Sequence, residues 1–215
     1  MRILSFINYA NKDILERFKN DEIINIASFN DTRFKNTFYK CELGTESYVL
    51  ALLCAMAGLC EFDIGELSAE SCLAEEEASE ILDFCKSLDM LLLDNNLLHH
   101  KDNSIYYFAK KLAEHFNAKL VFDYEFSNVN LLSLDDYNGL ILYECLETDE
   151  LIISPLFSQL AKIKDGDLVS VKTKDKEIKK IAILDNNLKG IFALSKKSTG
   201  FAFSPCIVKR LESDN

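Results

Sequence analysis

The sequence predicts an α/β fold, with an N-terminal α/β domain followed by a small C-terminal β-barrel-like domain. Helical and strand patterns alternate over the first 150 residues, which is typical of α/β proteins. The pattern then changes to short strands separated by Asp, Gly and Asn turns, as in a small, strongly turned barrel. The charge changes sign at the same place. A domain boundary is therefore predicted near Asp149-Glu150, between an acidic α/β domain (1–150) and a basic β-rich domain (151–215).

The elements of the first domain follow from apolar spacing and from capping residues. Thr45 is placed to cap an apolar helix, with Glu46 near the positive end of the helix dipole. Ser71 is placed to cap a helix with an acidic first turn and apolar residues at helical spacing. In chain order we expect a strand at Arg2–Tyr9, a helix at Lys12–Phe18, a strand at Glu22–Phe29, a polar stretch at Asn30–Lys40, a helix from Thr45 to about Leu59, the Ser71 helix, a helix at Ile105–Phe116, and strands at Lys119–Tyr124 and Leu140–Leu146.

The second domain begins with a short amphipathic segment, Pro155–Ile163, and a charged turn, Lys164-Asp165-Gly166-Asp167. Gly166 should be left-handed, because a tight turn needs a residue that tolerates positive φ. Strands are expected at Leu168–Thr173, Ile178–Leu184 and Ile191–Leu194, with an Asn-Asn turn before the last one.

Charge is distributed unevenly along a chain whose formal net charge is −11. Residues 151–215 contain 12 Lys+Arg and 7 Asp+Glu, a net of +5, whereas the first 150 residues have a net of −16. An acidic body is a poor candidate for nucleic acid, because phosphate binding needs a positive face. The lysines of the tail alternate with apolar residues, which indicates a solvated outer strand face. We therefore expect no nucleic-acid partner.

Composition fits a protein that buries an ordinary core, with 48% hydrophobic residues and two prolines in 215. The longest apolar run, Val49–Cys60, has twelve residues, fewer than the roughly 20 that a membrane helix needs. It is apolar around nearly its whole circumference, so it is either buried on all sides or meets a partner. The N-terminus has no signal-peptide pattern, and the expected location is cytoplasmic.

Phosphate-binding glycine loops are missing from the sequence. No two of the glycines lie closer than seven positions apart, so neither G-x-G-x-x-G nor a P-loop exists. They are Gly44, Gly58, Gly65, Gly139, Gly166, Gly190 and Gly200. The sequence assigns no cofactor-binding residues, although flavins also bind to loops without a glycine signature.

The seven cysteines contain no C-x-x-C pair, the arrangement that commonly supplies two ligands to one metal. They are Cys41, Cys54, Cys60, Cys72, Cys85, Cys145 and Cys206. Cys54 and Cys85 lie on apolar helical faces and are interpreted as core residues. The odd count in a cytoplasmic chain favours free thiols, and no metal-ligating residues are assigned.

Histidines and carboxylates form no recognisable catalytic group, and no catalytic residues are assigned. His99-His100 read as the end of a strand, where adjacent side chains point to opposite faces. His115 reads as a solvated position on a helix. Glu75-Glu76-Glu77 and Asp135-Asp136 are interpreted as solvated caps and turns, and no serine or cysteine lies in a nucleophile motif.

The order helix, Lys164-Asp165-Gly166-Asp167, strand, turn and Gly190-to-Leu194 resembles the C-terminal domain of the molybdopterin-oxidoreductase superfamily. That domain is a double-psi β-barrel, and it also occurs in the large iron–sulfur subunit of proton-pumping NADH-quinone oxidoreductase (complex I). A generic small barrel also uses an Asp-Gly turn.

A second stretch carries the same resemblance. Gly44-Thr45-Glu46, the apolar helix after it, and Asp63–Ser71 with its following acidic helix are similar to that large subunit as it occurs in certain bacteria that do not use NADH. The resemblance covers roughly residues 36–88 and 150–210 and implies a shortened relative without the cluster-bearing front end. Such a protein can stand in the operon where the NADH-binding subunit is usually encoded, and take that subunit's name by position alone. The alternative to this resemblance is an ordinary α/β domain, since an apolar helix followed by an acidic helix is common in such domains.

The resemblance implies a subunit of a complex I-like quinone oxidoreductase, structural or accessory for electron entry rather than NADH-oxidising. Its partners would be other peripheral-arm subunits, which would hold the iron–sulfur clusters, and it would meet the inner membrane only through the complex. No cofactor is expected in this chain. The alternative is a free-standing small-molecule enzyme or binding module that uses the crevice of the α/β domain. Whether the chain has an activity of its own stays open.

Overall fold

The computed structural model describes residues 1–121, 130–133, 137–198 and 200–211, apart from the side chains of Asn95 and Leu98. Contacts divide the chain into two compact units, Met1–Asn95 with His100–Asp135, and Asn96–His99 with Asp136–Asn215. One unit contains a parallel sheet with helices, and the other contains a nearly closed, barrel-like sheet. The predicted fold class is therefore confirmed.

Parallel strands and their connecting helices build the first unit. Its elements are β1 (Arg2–Phe6), α1 (Lys12–Arg17), β2 (Glu22–Ala27), β3 (Thr37–Lys40), α2 (Glu46–Met56), α3 (Ile64–Ser71), α4 (Glu75–Cys85), β4 (Met90–Leu93), a 3-10 helix (Asn95–His99), α5 (Ser104–His115) and β5 (Lys119–Val121). The strands form one sheet in the order β3-β2-β1-β4-β5, and every pairing is parallel. This order reverses between β1 and β4, as in nucleotide-binding α/β sheets.

The central strands β1 and β4 are apolar because both faces of the sheet are covered. Ile3 and Leu4 are fully buried, and all four residues of β4 are buried. One side of the sheet packs with Phe18 and Phe34 into a single apolar cluster.

Helix α2 is the most deeply buried helix of this unit. Every residue from Val49 to Cys54 is fully buried, and the helix contacts α3, α4 and α5. Val49–Cys54 is thus covered by the chain's own residues, whereas Ala55 and Met56 are half-buried. Helix α2 ends at Met56, just before Gly58, which has a φ of +74°.

Several local predictions differ from the structure. Thr45 precedes α2, but its hydroxyl donates to the Glu42 carbonyl at 2.8 Å and makes no capping hydrogen bond to the helix. Ser71 caps no helix: it is the last residue of α3, where its hydroxyl donates to the Leu67 carbonyl, and α4 begins after Ala74, whose N–H donates to the Glu77 carboxylate. The polar stretch Asn30–Lys40 contains the short edge strand β3, whose residues are exposed or half-buried. His99 ends a 3-10 helix rather than a strand.

The second unit contains β6 (Ile141–Leu146), β7 (Leu151–Ile153), α6 (Pro155–Ala161), β8 (Leu168–Lys172), β9 (Glu177–Leu184), β10 (Phe192–Lys196), β11 (Phe203–Pro205) and β12 (Ile207–Arg210). Its sheet has the order β11-β6-β10-β7-β9-β8-β12 and mixes parallel and antiparallel pairs. Its two outermost strands, β11 and β12, are separated in the chain by Cys206 alone. A sheet whose two edges are joined by one residue must curl back on itself, which explains the barrel.

The barrel interior is filled by aliphatic side chains from most strands, and α6 adds Phe157 to this core. Ser154 caps α6 by accepting a hydrogen bond from Phe157 N at 3.0 Å, with Pro155 at the first position. Strand β6 lies before the boundary predicted at Asp149-Glu150 but pairs with β10 and β11, and its Leu142 belongs to the barrel core.

The turn between α6 and β8 has the predicted form. Gly166 has a φ of +80°, and the Asp167 carboxylate accepts from Lys164 N at 2.8 Å. The Asp165 carboxylate accepts from Leu184 N at 2.8 Å and so joins the turn to the end of β9. The left-handed conformation expected for Gly166 is confirmed.

Candidate functional site

The carboxyl edge of the parallel sheet is the candidate functional site. In α/β sheets, ligands bind outside the carboxyl ends of the strands, near the point where the strand order reverses. Two groups of polar side chains lie in the segments that leave this edge, and all of them except the exposed Arg33 are buried. The loop-locking network consists of Asn8, Asn25, Asp31 and Arg33, and the buried pair consists of Glu46 and His100.

Asn25 fixes the start of the loop that follows β1. Its side-chain oxygen accepts from Ile7 N at 3.0 Å and from the Ser5 hydroxyl at 2.8 Å, and its amide nitrogen donates to Ile7 O at 2.9 Å. Asn25 is fully buried, so each of these groups would otherwise be desolvated without a partner. Asn8, next along the loop, accepts from Ser28 N at 2.9 Å and ties this loop to the one after β2.

Asp31 and Arg33 close the same loop from the β2 side. The Asp31 carboxylate accepts from Ala10 N at 3.0 Å and from two guanidinium nitrogens of Arg33, at 2.7 and 2.9 Å. Arg33 also donates to Ala10 O at 3.0 Å, and its guanidinium lies 3.7 Å from the centroid of the Tyr9 ring. Two-point contact of this kind holds a planar guanidinium in one orientation.

These contacts decide what the β1–α1 loop can bind. In dinucleotide-binding sheets the backbone N–H groups of this loop hold the pyrophosphate. Here the N–H groups of Ile7 and Ala10 donate to the side-chain oxygens of Asn25 and Asp31. The Asn11 side chain accepts a hydrogen bond from Ile14 N and so caps α1. A phosphate could reach these amides only by displacing buried Asn and Asp oxygens. These two amides are therefore engaged within the chain.

The buried pair lies at the start of α2. Glu46 is the first residue of α2, and its carboxylate lies 3.4 Å from His100 Nε2; both side chains are at least 95% buried. His100 Nε2 also lies 3.1 Å from Gly44 O, and Nδ1 lies 3.0 Å from Asp102 N and 3.2 Å from Asp102 O. The Asp102 N–H donates to Nδ1, so Nδ1 acts as an acceptor while Nε2 can donate to Gly44 O. A proton added to Nδ1 would have Asp102 O, at 3.2 Å, as its acceptor.

Protonation of His100 is governed by two opposing effects. Burial lowers the pKa of His100, but the contact and negative charge of Glu46, together with the backbone contacts to Gly44 and Asp102, leave the pKa raised above its ordinary value. Asp102 is also buried; its carboxylate accepts from Ser104 N at 2.9 Å and from Leu132 N at 3.1 Å. The pair can hold a proton, yet a general acid or base must also reach a substrate. The 3.4 Å contact between His100 Nε2 and the Glu46 carboxylate links α2 to the segment before α5, and it becomes an ion pair when the imidazole is protonated.

Sequence reasoning missed the buried pair. The sequence predicts only a charge near a helix dipole at Glu46 and a strand end at His100, and 54 positions separate the two residues. His99, by contrast, is exposed, and His115 is exposed at the end of α5 as expected. A single sequence gives no indication that Glu46 and His100 are in contact. A glutamate at the start of an apolar helix does indicate that its carboxylate is buried.

The sequence also predicts two groups of solvated acidic residues, Glu75-Glu76-Glu77 and Asp135-Asp136. Glu75, Glu76 and Glu77 form the first turn of α4, where negative charge is favourable, and Glu77 closes the cap at Ala74. Asp135-Asp136 lies outside the described residues.

The cysteines are dispersed as free thiols. Within the described ranges, no group of three or more Cys, His, Asp or Glu side chains is arranged to hold a metal ion. Burial raises the pKa of Cys54, Cys85 and Cys206 to about 12, and burial, followed by the charge of Glu46, raises the pKa of Cys41 well above its ordinary value. Protonated thiols are poor nucleophiles and poor metal ligands. These four thiols therefore contribute packing rather than thiol chemistry, whereas Cys72 is exposed.

No protein-family model matches this chain, and no curated protein matches it. Among the helices of the described part, none has the length and apolar character needed to cross a membrane. The case for a function comes from the chain's own residues.

Proposed function

We propose that this chain is an accessory subunit of the peripheral arm of a complex I-like quinone oxidoreductase. Two stretches of sequence resemble the molybdopterin-oxidoreductase-like part of the large iron–sulfur subunit, and that resemblance implies a C-terminal barrel. The observation that carries the proposal is the barrel-like sheet entered through Asp165-Gly166-Asp167, with Gly166 at a φ of +80°. The two stretches that carry the resemblance correspond to α2–α4 and to the barrel in this chain.

The chain's role in this proposal is structural, or accessory to electron entry, rather than NADH oxidation. The parallel sheet has the strand order of a nucleotide-binding sheet, but Asn25 and Asp31 already accept from the loop amides that would hold a pyrophosphate. The thiols of Cys41, Cys54, Cys85 and Cys206 are held protonated by burial. Electrons would therefore pass through clusters held by neighbouring subunits, and the chain would meet the inner membrane only through them.

Purification of the respiratory complex from the native cell tests the proposal. A tag on a different peripheral-arm subunit should recover this chain in a stoichiometric amount, measured by quantitative mass spectrometry. Deleting the gene should lower quinone reduction by the complex with its natural donor, and the full-length chain supplied in trans should restore that activity. A chain recovered as a stable monomer at low salt, with no respiratory subunit attached, would contradict the proposal and favour a free-standing binding protein.

A further inference from the structure

The outer surface of the barrel carries a mixed apolar and basic face. Strand pairing defines it: Leu168 lies opposite Ile181, Ser170 lies between Lys179 and Lys209, and Lys172 lies opposite Glu177. These residues share the outward side, because the alternate residues Val169, Val171 and Ala182 belong to the barrel core. We call this surface the basic outer face, defined by Leu168, Lys172, Lys179, Ile181, Ile183 and Lys209.

Three aliphatic side chains of this face are exposed to solvent. Ile181 is 60% exposed, and Leu168 and Ile183 are each 41% exposed. Leu168 and Ile181 are direct cross-strand neighbours, and Ile183 is the next outward residue along β9. Adjacent aliphatic side chains left in water indicate an interaction surface more strongly than isolated ones do.

The basic part lies directly beside the apolar part. Lys172, Lys179 and Lys209 are all exposed and surround Glu177. A hydrogen bond from the Ser170 hydroxyl lowers the pKa of the Glu177 carboxyl, and the charges of Lys172, Lys179 and Lys209 lower it further. One glutamate thus interacts with three lysines. Its single negative charge does not neutralise them, so the face has a net positive charge.

We propose that the basic outer face docks an acidic segment of another protein, with aliphatic side chains against Leu168, Ile181 and Ile183 and carboxylates against Lys172, Lys179 and Lys209. This inference rests on the proposed function, in which the segment belongs to another peripheral-arm subunit. Charge complementarity selects an acidic partner, and the aliphatic row selects one that also buries apolar surface.

Two other occupants fit this face less well. Nucleic acid could contact the lysines, but it would leave the three aliphatic side chains exposed to water. The outward residues of β8, β9 and β12 also include no aromatic ring on which a base could stack. A second copy would offer its acidic first unit, but the resulting head-to-tail contact would repeat without closing into a dimer.

Site-directed photo-crosslinking of the full-length chain in its native cell tests the inference. A photo-reactive residue is placed at position 183 on the face or, as a matched control, at Leu160, which is 56% exposed on α6. Mass spectrometry should identify a crosslink from position 183 to an acidic, aliphatic segment of a peripheral-arm subunit. The double variant Lys179→Glu/Lys209→Glu should lower the yield of that crosslink by about tenfold, since reversed charges slow association. The exposed Lys189→Glu in the turn before β10 should leave it unchanged.

The outcomes separate this inference from the proposed function. A crosslink to the oxidoreductase from Leu160 but not from position 183 overturns the docking face and leaves the function standing. A crosslink from position 183 to an acidic segment outside the complex, weakened by Lys179→Glu/Lys209→Glu, supports the face and overturns the function. A crosslink to a second copy or to RNA, or no crosslink at position 183, overturns the docking inference.

Discussion

Gly166 shows how one backbone position supports the barrel. Its φ of +80° is one that side chains rarely adopt, and a β-carbon added there would meet no described atom within 4 Å beyond its chain neighbours. The cost of Gly166→Val is therefore purely conformational, about 1–2 kcal/mol of unfolding free energy. Urea unfolding should show this loss, whereas the exposed Lys164→Gln should leave the midpoint in place. An unchanged midpoint for Gly166→Val would mean that the turn assignment is wrong.

His100 and Glu46 should make stability depend on pH. The pKa of His100 is raised in the folded chain, so the folded state holds a proton that the unfolded state releases above about pH 6.5. The stabilisation is complete below the unfolded pKa and is lost as the pH rises through the folded pKa. The free energy of unfolding should therefore decrease above about pH 6.5.

Chemical denaturation at a series of pH values checks this dependence. Glu46→Gln removes the charge that raises the pKa of His100, so this fall in stability should largely disappear. The exposed His115→Gln should keep the parent behaviour. A parent protein with the same pH dependence as Glu46→Gln would contradict the role given to the pair.

At the scale of elements, the β1–α1 loop depends on Asn25 for three hydrogen bonds to buried groups. Asn25→Leu leaves the Ile7 N–H and C=O and the Ser5 hydroxyl without that partner, which should cost about 3 kcal/mol or more. Removing the exposed cap of α1 by Asn11→Ala should cost only about 1 kcal/mol. Unfolding free energies of the two variants give the comparison, and equal losses would mean that the loop-locking network does not fix this edge.

Helices and strands with a strong local sequence pattern could be predicted from the sequence. Short strands that form only by pairing with other strands could not. The segment around Ile105–Phe116 has apolar residues at helical spacing, and α5 follows it closely. Strands β7, β11 and β12 have only three or four residues and are defined by their partners in the barrel. Ser71 had the right residue type for a cap, but its hydroxyl donates within the preceding helix.

The candidate site was the least predictable part, because its members are distant in sequence. Asn25 reads as an ordinary polar residue inside a strand until its contacts with Ser5 and Ile7 are known. The missing glycine signature was visible in the sequence. The reason that the loop needs no glycine, namely that Asp31 and Asn25 occupy its amides, required the structure.

For the whole molecule, the proposal implies that the isolated chain binds no iron–sulfur cluster and does not oxidise NADH. Anaerobic reconstitution with iron and sulfide should give no stoichiometric cluster by absorbance and electron paramagnetic resonance, since Cys41, Cys54, Cys85 and Cys206 have raised thiol pKa values. NADH should produce no reduction of an artificial acceptor. A stoichiometric cluster would refute this prediction.

The uneven charge of the molecule predicts how its association responds to salt. The first 150 residues have a net charge of −16 and residues 151–215 a net of +5, so contacts made by the basic outer face should include an electrostatic part. At about 0.15 M salt the screening length falls to roughly 8 Å, and exposed charge pairs weaken further as salt rises. The amount of oxidoreductase subunit recovered with the tagged chain should therefore decrease steadily from about 0.05 to 0.5 M sodium chloride. Lys179→Glu/Lys209→Glu should start lower and depend less on salt, while Lys189→Glu should follow the parent. Recovery that is equal at all salt concentrations for the parent and both variants would mean that the basic residues do not contribute to the contact.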